Sequence, residues 1–352
     1  MLRNSWDGIR SVHSVNQSSS ITCTWRSFDR TERLEALFPA PVSGTKAPTR
    51  CRWELELHVP PLHKFAKIVA QMTANPQLLE EWGDRLRAAG ALDEAAVAYG
   101  KLLALEPTHL KASRIISSIT GRTSSLQSVP GGLKPAPFVM IRGYLDPALR
   151  DELHAALVSK SGGFMTAETT KGIHLDYRRS TMLPDCFRHV APKLEHAFYS
   201  RFLTHWQDAR TRLRIEEFEP SLSETHALFY GDGDFFAPHQ DTGPENTRRV
   251  TFVYNLHLTP RTFDGGDLLL YDTHFRPGRE SHETEEPYFA EAHTRIIPED
   301  NRLVLFPSEF YHEVTPVSYR GTDPGGKRLS ITGWVHGTRE VGDPGRIAST
   351  PY

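Results

Sequence analysis

The stretch His239-Gln240-Asp241 sets an imidazole and a carboxylate two residues apart. In an extended chain such side chains point to the same side, so both can reach one metal ion. The pattern alone is weak. Among 17 histidines, about one His-x-Asp arises by chance, and a second, His174-Leu175-Asp176, is present. Only the first has a suitable third residue downstream, His312 in the run NRLVLFPSEFYHEVTPV. Two nitrogens and one carboxylate on one face of an octahedron leave three adjacent positions open. That suits Fe(II) holding a bidentate molecule and dioxygen together, where zinc would ask for a tetrahedral set.

Past His312 lies Arg328, then Leu329 and Ser330. On a strand, Arg328 and Ser330 share one face. A guanidinium clamps a carboxylate with two charge-assisted hydrogen bonds, and the hydroxyl adds a third. His174 and Asp176 precede Tyr177-Arg178-Arg179 and have no such sequel. They are expected at the surface, with Arg178 or Arg179 as a candidate to face the pocket.

The elements that must position these residues are strands. Extended, turn-bounded segments are expected at Leu213 to Ile215, His226 to Tyr230, Arg249 to Leu258, Asp267 to Asp272, His293 to Ile297, Arg302 to Phe306, Tyr311 to Val317 and Arg328 to His336. Phe138 to Ile141 forms an earlier strand. Helices are expected from Asp146-Pro147 to about Val158 and from about Phe187 to Trp206. The fold class is α+β around a jelly roll, with supporting helices. Upstream, residues 123–137 read as a linker, 59–122 as helical and 1–58 as irregular, with a short helix over Thr31 to Phe38. Residues 339–352 form a tail.

Composition narrows the class of partner. Hydrophobic residues make up 38 % and charged residues 24 % of 352 positions, as in a globular protein. A net charge of −2 gives no reason to expect nucleic acid or an anionic membrane. Three cysteines, Cys23, Cys51 and Cys186, build neither a disulfide framework nor a Cys-rich zinc site, so a reducing, cytoplasmic setting is expected. Apolar runs are far shorter than the roughly 20 residues that span a bilayer.

Two resemblances add to this reading. Gly83, Gly90, Ala95, Tyr99 and Pro107 stand where a tetratricopeptide repeat places its small residues, its aromatic and its proline. One repeat cannot bury its apolar face alone, so an accessory hairpin on the main domain and a peptide-binding array both stand open. The segments FYGDGDFFAPHQD, RRVTFVYNLH, FDGGDLLLYD, NRLVLFPSEFYHEVTPV and GGKRLSITGW resemble the prolyl-4-hydroxylase-like branch of the 2-oxoglutarate/Fe(II) oxygenases, over about residues 136–338, with the oxygenase domain set at 138–338.

That resemblance implies a double-stranded β-helix with Fe(II), 2-oxoglutarate as cosubstrate, O2, and ascorbate as a candidate reductant. It implies that His239, Asp241 and His312 bind the metal and that Arg328, with Ser330, binds the cosubstrate. Tyr230 and Asn255 match positions that touch 2-oxoglutarate, and Gly265-Gly266 match a turn with a backbone role. The stretch Arg320 to Lys327 is longer than is usual between the last histidine and the arginine. The insertion Thr273 to Glu291, with His274 and His282, reads as a loop shaping access rather than as a source of ligands. The implied reaction hydroxylates a C–H bond, prolyl-hydroxylase-like, on a peptide or protein, releasing succinate and CO2; a small-molecule substrate also fits. If the helical repeat is a peptide-binding array, it offers a place for a protein partner. Two other readings are a non-catalytic interaction module and a cupin-like metal hydrolase or isomerase that would not need Arg328.

Overall fold

The computed structural model describes residues 75–122, 133–168, 172–241, 247–274 and 289–337. The expected irregular segment, the short helix at 31–38, the C-terminal tail, residues 275–288 of the insertion and the side chain of His274 lie outside these. Three helices come first: α1 (Pro76–Ala88), α2 (Leu92–Leu105) and α3 (Leu110–Thr120). Asn75 caps α1 by accepting a hydrogen bond from the Leu78 amide at 3.2 Å, and Pro76 supplies the first turn. Gly83 faces Tyr99 across α1 and α2; a Cβ there would sit 2.6 Å from the ring. Glycine therefore sets how closely the helices approach.

The remaining elements follow as β1 (Leu133–Lys134), β2 (Val139–Arg142), α4 (Pro147–Ser159), β3 (Met165–Thr166), β4 (Arg178–Arg179), β5 (Thr181–Leu183), α5 (Pro192–Leu213), β6 (Ser221–Tyr230), β7 (Phe235–His239) and β8 (Arg248–Asn255). After them come β9 (Asp264–Gly265), β10 (Leu268–His274), β11 (Phe289–Ile296), β12 (Arg302–Pro307), β13 (His312–Val314), β14 (Val317–Ser318) and β15 (Arg328–His336). They build two large antiparallel sheets and a two-stranded pair, β14-β9. The larger runs β2-β12-β8-β15-β6-β5-β3, and the smaller runs β1-β10-β13-β7-β4, with β11 also on β10. This is a jelly roll with helices before and beside it.

Period-two alternation decides what each face of the larger sheet meets. Phe252, Tyr254, Leu305, Leu329 and Ile331 join Leu153, Leu157, Phe198 and Phe202 of α4 and α5 in the main core. Each such buried side chain stabilises the fold by about 1.5–3 kcal/mol. Val253, Val304 and Phe306 point the other way and pack with Leu268, Leu270 and Phe310 of the smaller sheet's side. Arg328 and Ser330 share that opposite face, because they alternate with Leu329 and Ile331.

Three expectations change, and one of the two readings of the helical region is supported. Leu213-Arg214-Ile215 is not a strand: α5 continues to Leu213, and Arg214 closes it in the left-handed conformation with φ 58°. Leu213 belongs to the buried helical face that includes Phe202, Trp206 and Ala209, so helical packing overrides a three-residue apolar alternation. Leu133 and Lys134, placed in the linker by composition, already pair with His274 and Thr273 of β10. Tyr311 to Val317 divides into β13 and β14, which pair with different strands. The helical region docks on the jelly roll: Arg87 of α1 forms a two-pronged ion pair with Asp272 of β10, at 2.8 and 2.6 Å.

Candidate active site

His239 closes β7 and His312 opens β13, and the two are register partners on neighbouring antiparallel strands. Asp241 follows within two residues, its amide donating to the Ser308 carbonyl at 3.1 Å. One ligand atom from each of His239, Asp241 and His312 falls within 4.8 Å of the others. Their hydrogen bonds fix the useful tautomer. Nδ1 of His239 lies 2.8 Å from the Ala237 carbonyl oxygen, and Nδ1 of His312 lies 3.1 Å from that of Phe310. Each Nδ1–H can donate only outward, which leaves both Nε2 lone pairs for a metal.

The same Nε2 atoms face Asp241, at 3.7 Å from Oδ1 for His239 and 3.3 Å from Oδ2 for His312. Thr251 donates to Asp241 Oδ2 at 2.8 Å and lies 3.0 Å from the Ser308 hydroxyl. Phe236 stacks on the His239 ring at 3.5 Å, and Phe306 meets the His312 ring edge-on at 4.7 Å. Burial, with His312 beside it, pushes the His239 imidazole down to about 3. It is thus neutral, and a metal need displace no proton from it. Burial opposes the charge of Asp241, yet the adjacent imidazoles offset this and hold its carboxyl below the ordinary carboxylate range. Two imidazoles and one carboxylate are the donor set that Fe(II) takes in a facial triad.

Arg328, Ser330, Tyr230 and Asn255 meet on the inner face of the larger sheet. Arg328 is opposite Tyr230, and Ser330 lies between Leu228 and Asn255 in register. The Arg328 guanidinium sits over the Tyr230 ring at 4.8 Å, with Nε donating to the Gly266 carbonyl at 2.8 Å and Nη1 to Ser330 at 3.2 Å. It is 1 % exposed. Among the described residues no carboxylate comes within ion-pair distance of it. Burial lowers its pKa, with Tyr230 and Asp267 offsetting only part of that. The Oδ1 of Asn255 is also buried with no hydrogen-bond partner among the described residues. Such groups are costly unless something completes them.

Gly265 and Gly266 act through the backbone. Both have positive φ, and a Cβ would lie 2.1 Å from the Pro316 oxygen at Gly265 and 2.4 Å from Arg328 Cδ at Gly266. Sequence reasoning missed Thr251 and Ser308, single hydroxyls without a spacing signature. It also missed Tyr177, whose hydroxyl donates to the Pro238 carbonyl at 3.1 Å, and Phe236. Arg178 lies over Phe236 at 4.5 Å and Arg179 over Phe235 at 4.9 Å. Arg178 also donates to Ser180 and to the Glu168 carbonyl, so it braces this wall. His174 and Asp176 are exposed, at a turn closed by the His174 carbonyl.

Residues 225–336 match the family model of the 2OG-Fe(II) oxygenase superfamily. A Synechocystis protein described as an uncharacterized PKHD-type hydroxylase is 27 % identical over 203 residues, 57 % of this chain and 63 % of that protein. The chain thus spans less than two thirds of that relative. A Pseudomonas putida prolyl-4-hydroxylase structure is 20 % identical, covers 58 % of this chain and 94 % of its own, and has a TM-score of 0.40. A Trichoplax adhaerens prolyl hydroxylase, solved with a hypoxia inducible factor oxygen degradation domain peptide fragment, is 18 % identical. It covers 57 % and 83 % of the two chains, with a TM-score of 0.42. The superfamily works with Fe(II), 2-oxoglutarate and O2, and a His-Asp-His cluster, with His312 buried and the other two partly so, is present to receive the metal. Residues 225–336 are thus similar to the 2OG-Fe(II) oxygenase superfamily.

Proposed function

We propose that the protein is a 2-oxoglutarate-dependent dioxygenase that hydroxylates a C–H bond of a prolyl or other residue in a peptide or protein. The observation that carries this reading is the fully buried Arg328, left without a carboxylate on the same inner face as Ser330 and the orphan Asn255 oxygen. A dicarboxylic cosubstrate supplies the anion that the Arg328 guanidinium lacks, and the cupin-like hydrolase reading gives Arg328 no task. An inert interaction module would need neither the triad nor the clamp.

The residues divide the work. His239, Asp241 and His312 would hold Fe(II), which supplies dioxygen activation when bound. Thr251 holds Asp241 in one rotamer, while the Ala237 and Phe310 carbonyls hold the imidazoles. Arg328 and Ser330 would take the distal carboxylate of 2-oxoglutarate, with Tyr230 beneath the guanidinium and Asn255 adding a polar contact. Phe236 covers the His239 ring, and Tyr177 packs edge-on against Phe236. The overall balance is substrate C–H, 2-oxoglutarate and O2 going to C–OH, succinate and CO2.

The domain reading, 138–338 as the oxygenase unit behind a helical segment and a short linker, is part of the same proposal, with its first strand moved to Leu133. The motif resemblance supports a peptide or protein substrate, and a small-molecule substrate would fit the same clamp. The test is to offer peptide and small-molecule pools with Fe(II) and 2-oxoglutarate and look for a gain of one oxygen with matched succinate. Asp241→Ala should give neither product. Full turnover by that variant would remove the assignment.

A further inference from the structure

A buried imidazole stands beside the Arg328 clamp. His257 follows β8 and is 4 % exposed, and its Nε2 has no hydrogen-bond partner among the described residues. Ser330 pairs with Asn255 in register. One step on, the Leu256 amide still donates to the Leu329 carbonyl at 3.1 Å, so His257 comes opposite Arg328. Tyr230 stands opposite Arg328 on its other side. Tyr254 and Leu256 belong to the main core, so Asn255 and His257 share the inner face with Arg328 and Ser330. The His257 ring meets Phe263 edge-on at 5.2 Å, and Phe263 packs with Leu228 and Tyr230.

The backbone of His257 is fixed from behind. Its amide donates to Asp300 Oδ1 at 2.9 Å, and its carbonyl accepts from Arg150, which pairs with Asp300 at 2.8 Å. Nδ1 lies 3.1 Å from the Leu258 carbonyl oxygen. A carbonyl can only accept, so Nδ1 carries the hydrogen and the buried Nε2 is a bare lone pair. The charged groups set against His257 are Arg328 of β15, Arg261 beyond β8, Asp300 before β12 and Arg150 of α4. Asp300 also acts on His154 of α4. Burial holds the His257 imidazole below its ordinary pKa; the Leu258 carbonyl and Asp300 act against this, while Arg328 and Arg261 add to it. Without an anion beside it, such a ring is neutral near neutral pH.

We propose that His257 is a further cosubstrate-binding residue. As a carboxylate of 2-oxoglutarate docks on Arg328, Nε2 gains a proton from solvent and donates it to that carboxylate in a hydrogen bond. A lone pair repels an anion, and a carboxylate has no hydrogen to share, so the contact forms only on the protonated ring. The carboxylate in turn favours that charge, and it then lies between a guanidinium and an imidazolium. This role rests on the reading of Arg328 as the cosubstrate clamp. It adds a property that Arg328, Ser330 and Asn255 lack, since none of those three changes protonation near neutral pH. Binding raises the pKa of the ring, so affinity is highest below the free ring's pKa. It then declines, by up to about tenfold per pH unit, until the pH passes the bound ring's pKa.

2-Oxoglutarate should be titrated calorimetrically and anaerobically into the Fe(II)-loaded full chain from about pH 6 to 8, in buffers of different ionisation heat. The buffer dependence of the heat counts the protons taken up. Wild type is expected to take up close to one proton per 2-oxoglutarate over part of that range, with Kd rising as pH rises. His257→Gln can donate a neutral hydrogen bond but cannot gain a proton. It should bind at least about threefold more weakly at the acid end and show no uptake. His257→Phe should lose the uptake as well, and serves if the first variant does not fold. Wild-type binding without proton uptake, or equal uptake in a folded His257 variant, overturns the proposal and leaves the clamp reading standing. No binding of 2-oxoglutarate by wild type overturns both, so the two failures are told apart.

Discussion

Arg87 and Arg328 are both fully buried, at 0 % and 1 % exposure, and they differ in what lies opposite. Arg87 meets Asp272 through two hydrogen bonds, with Asp84 at 3.3 Å. Burial works against its charge, but Asp272 more than offsets this and holds the guanidinium above its ordinary pKa. Arg328 meets only a carbonyl, a hydroxyl and a ring face, and its pKa is lowered. A paired buried arginine joins two parts of a fold. An unpaired one keeps a place for an anion. The first explains how the helical region is held on the jelly roll, and the second points to what the jelly roll binds.

Breaking the paired member should give the largest effect on stability. Arg87→Ala leaves the buried Asp272 without its cation, with the Ala136 amide still donating to it, which costs about 3–5 kcal/mol. Denaturant unfolding should show that loss, while 2-oxoglutarate affinity of the folded fraction stays near wild type. Thr251→Val removes the hydroxyl that orients Asp241 and should weaken Fe(II) binding about 10- to 100-fold, read by metal titration. Gly266→Ala sets a methyl against the Arg328 stem on a left-handed backbone, so the KM for 2-oxoglutarate should rise by about tenfold. An unchanged KM there would mean that Arg328 does not set cosubstrate affinity.

Much of this was legible before any coordinates. The spacing in His239-Gln240-Asp241 works because β7 is extended there, and the limits expected for the last strand, Arg328 to His336, coincide with β15. Alternation along β15 separates Arg328 and Ser330 from Leu329 and Ile331 without further information. What escaped depends on distant pairing. Thr251 reaches Asp241 because β8 lies beside β12, which brings Val250 opposite Pro307 and Ser308 close by. Arg87 and Asp272 are 185 residues apart in sequence, and no local pattern announces such a pair. At Leu213 the local signal pointed the wrong way, since three residues cannot distinguish a strand from the last turn of a long amphipathic helix.

The two arginines also supply the most direct test. 2-Oxoglutarate should be titrated anaerobically into Fe(II)-loaded wild type, Arg328→Met and Arg87→Met. The account predicts clear binding by wild type and by the folded Arg87 variant, and a loss of at least about 100-fold, near 2.7 kcal/mol, for Arg328→Met. A folded Arg328→Met protein that binds 2-oxoglutarate as tightly as wild type would contradict it.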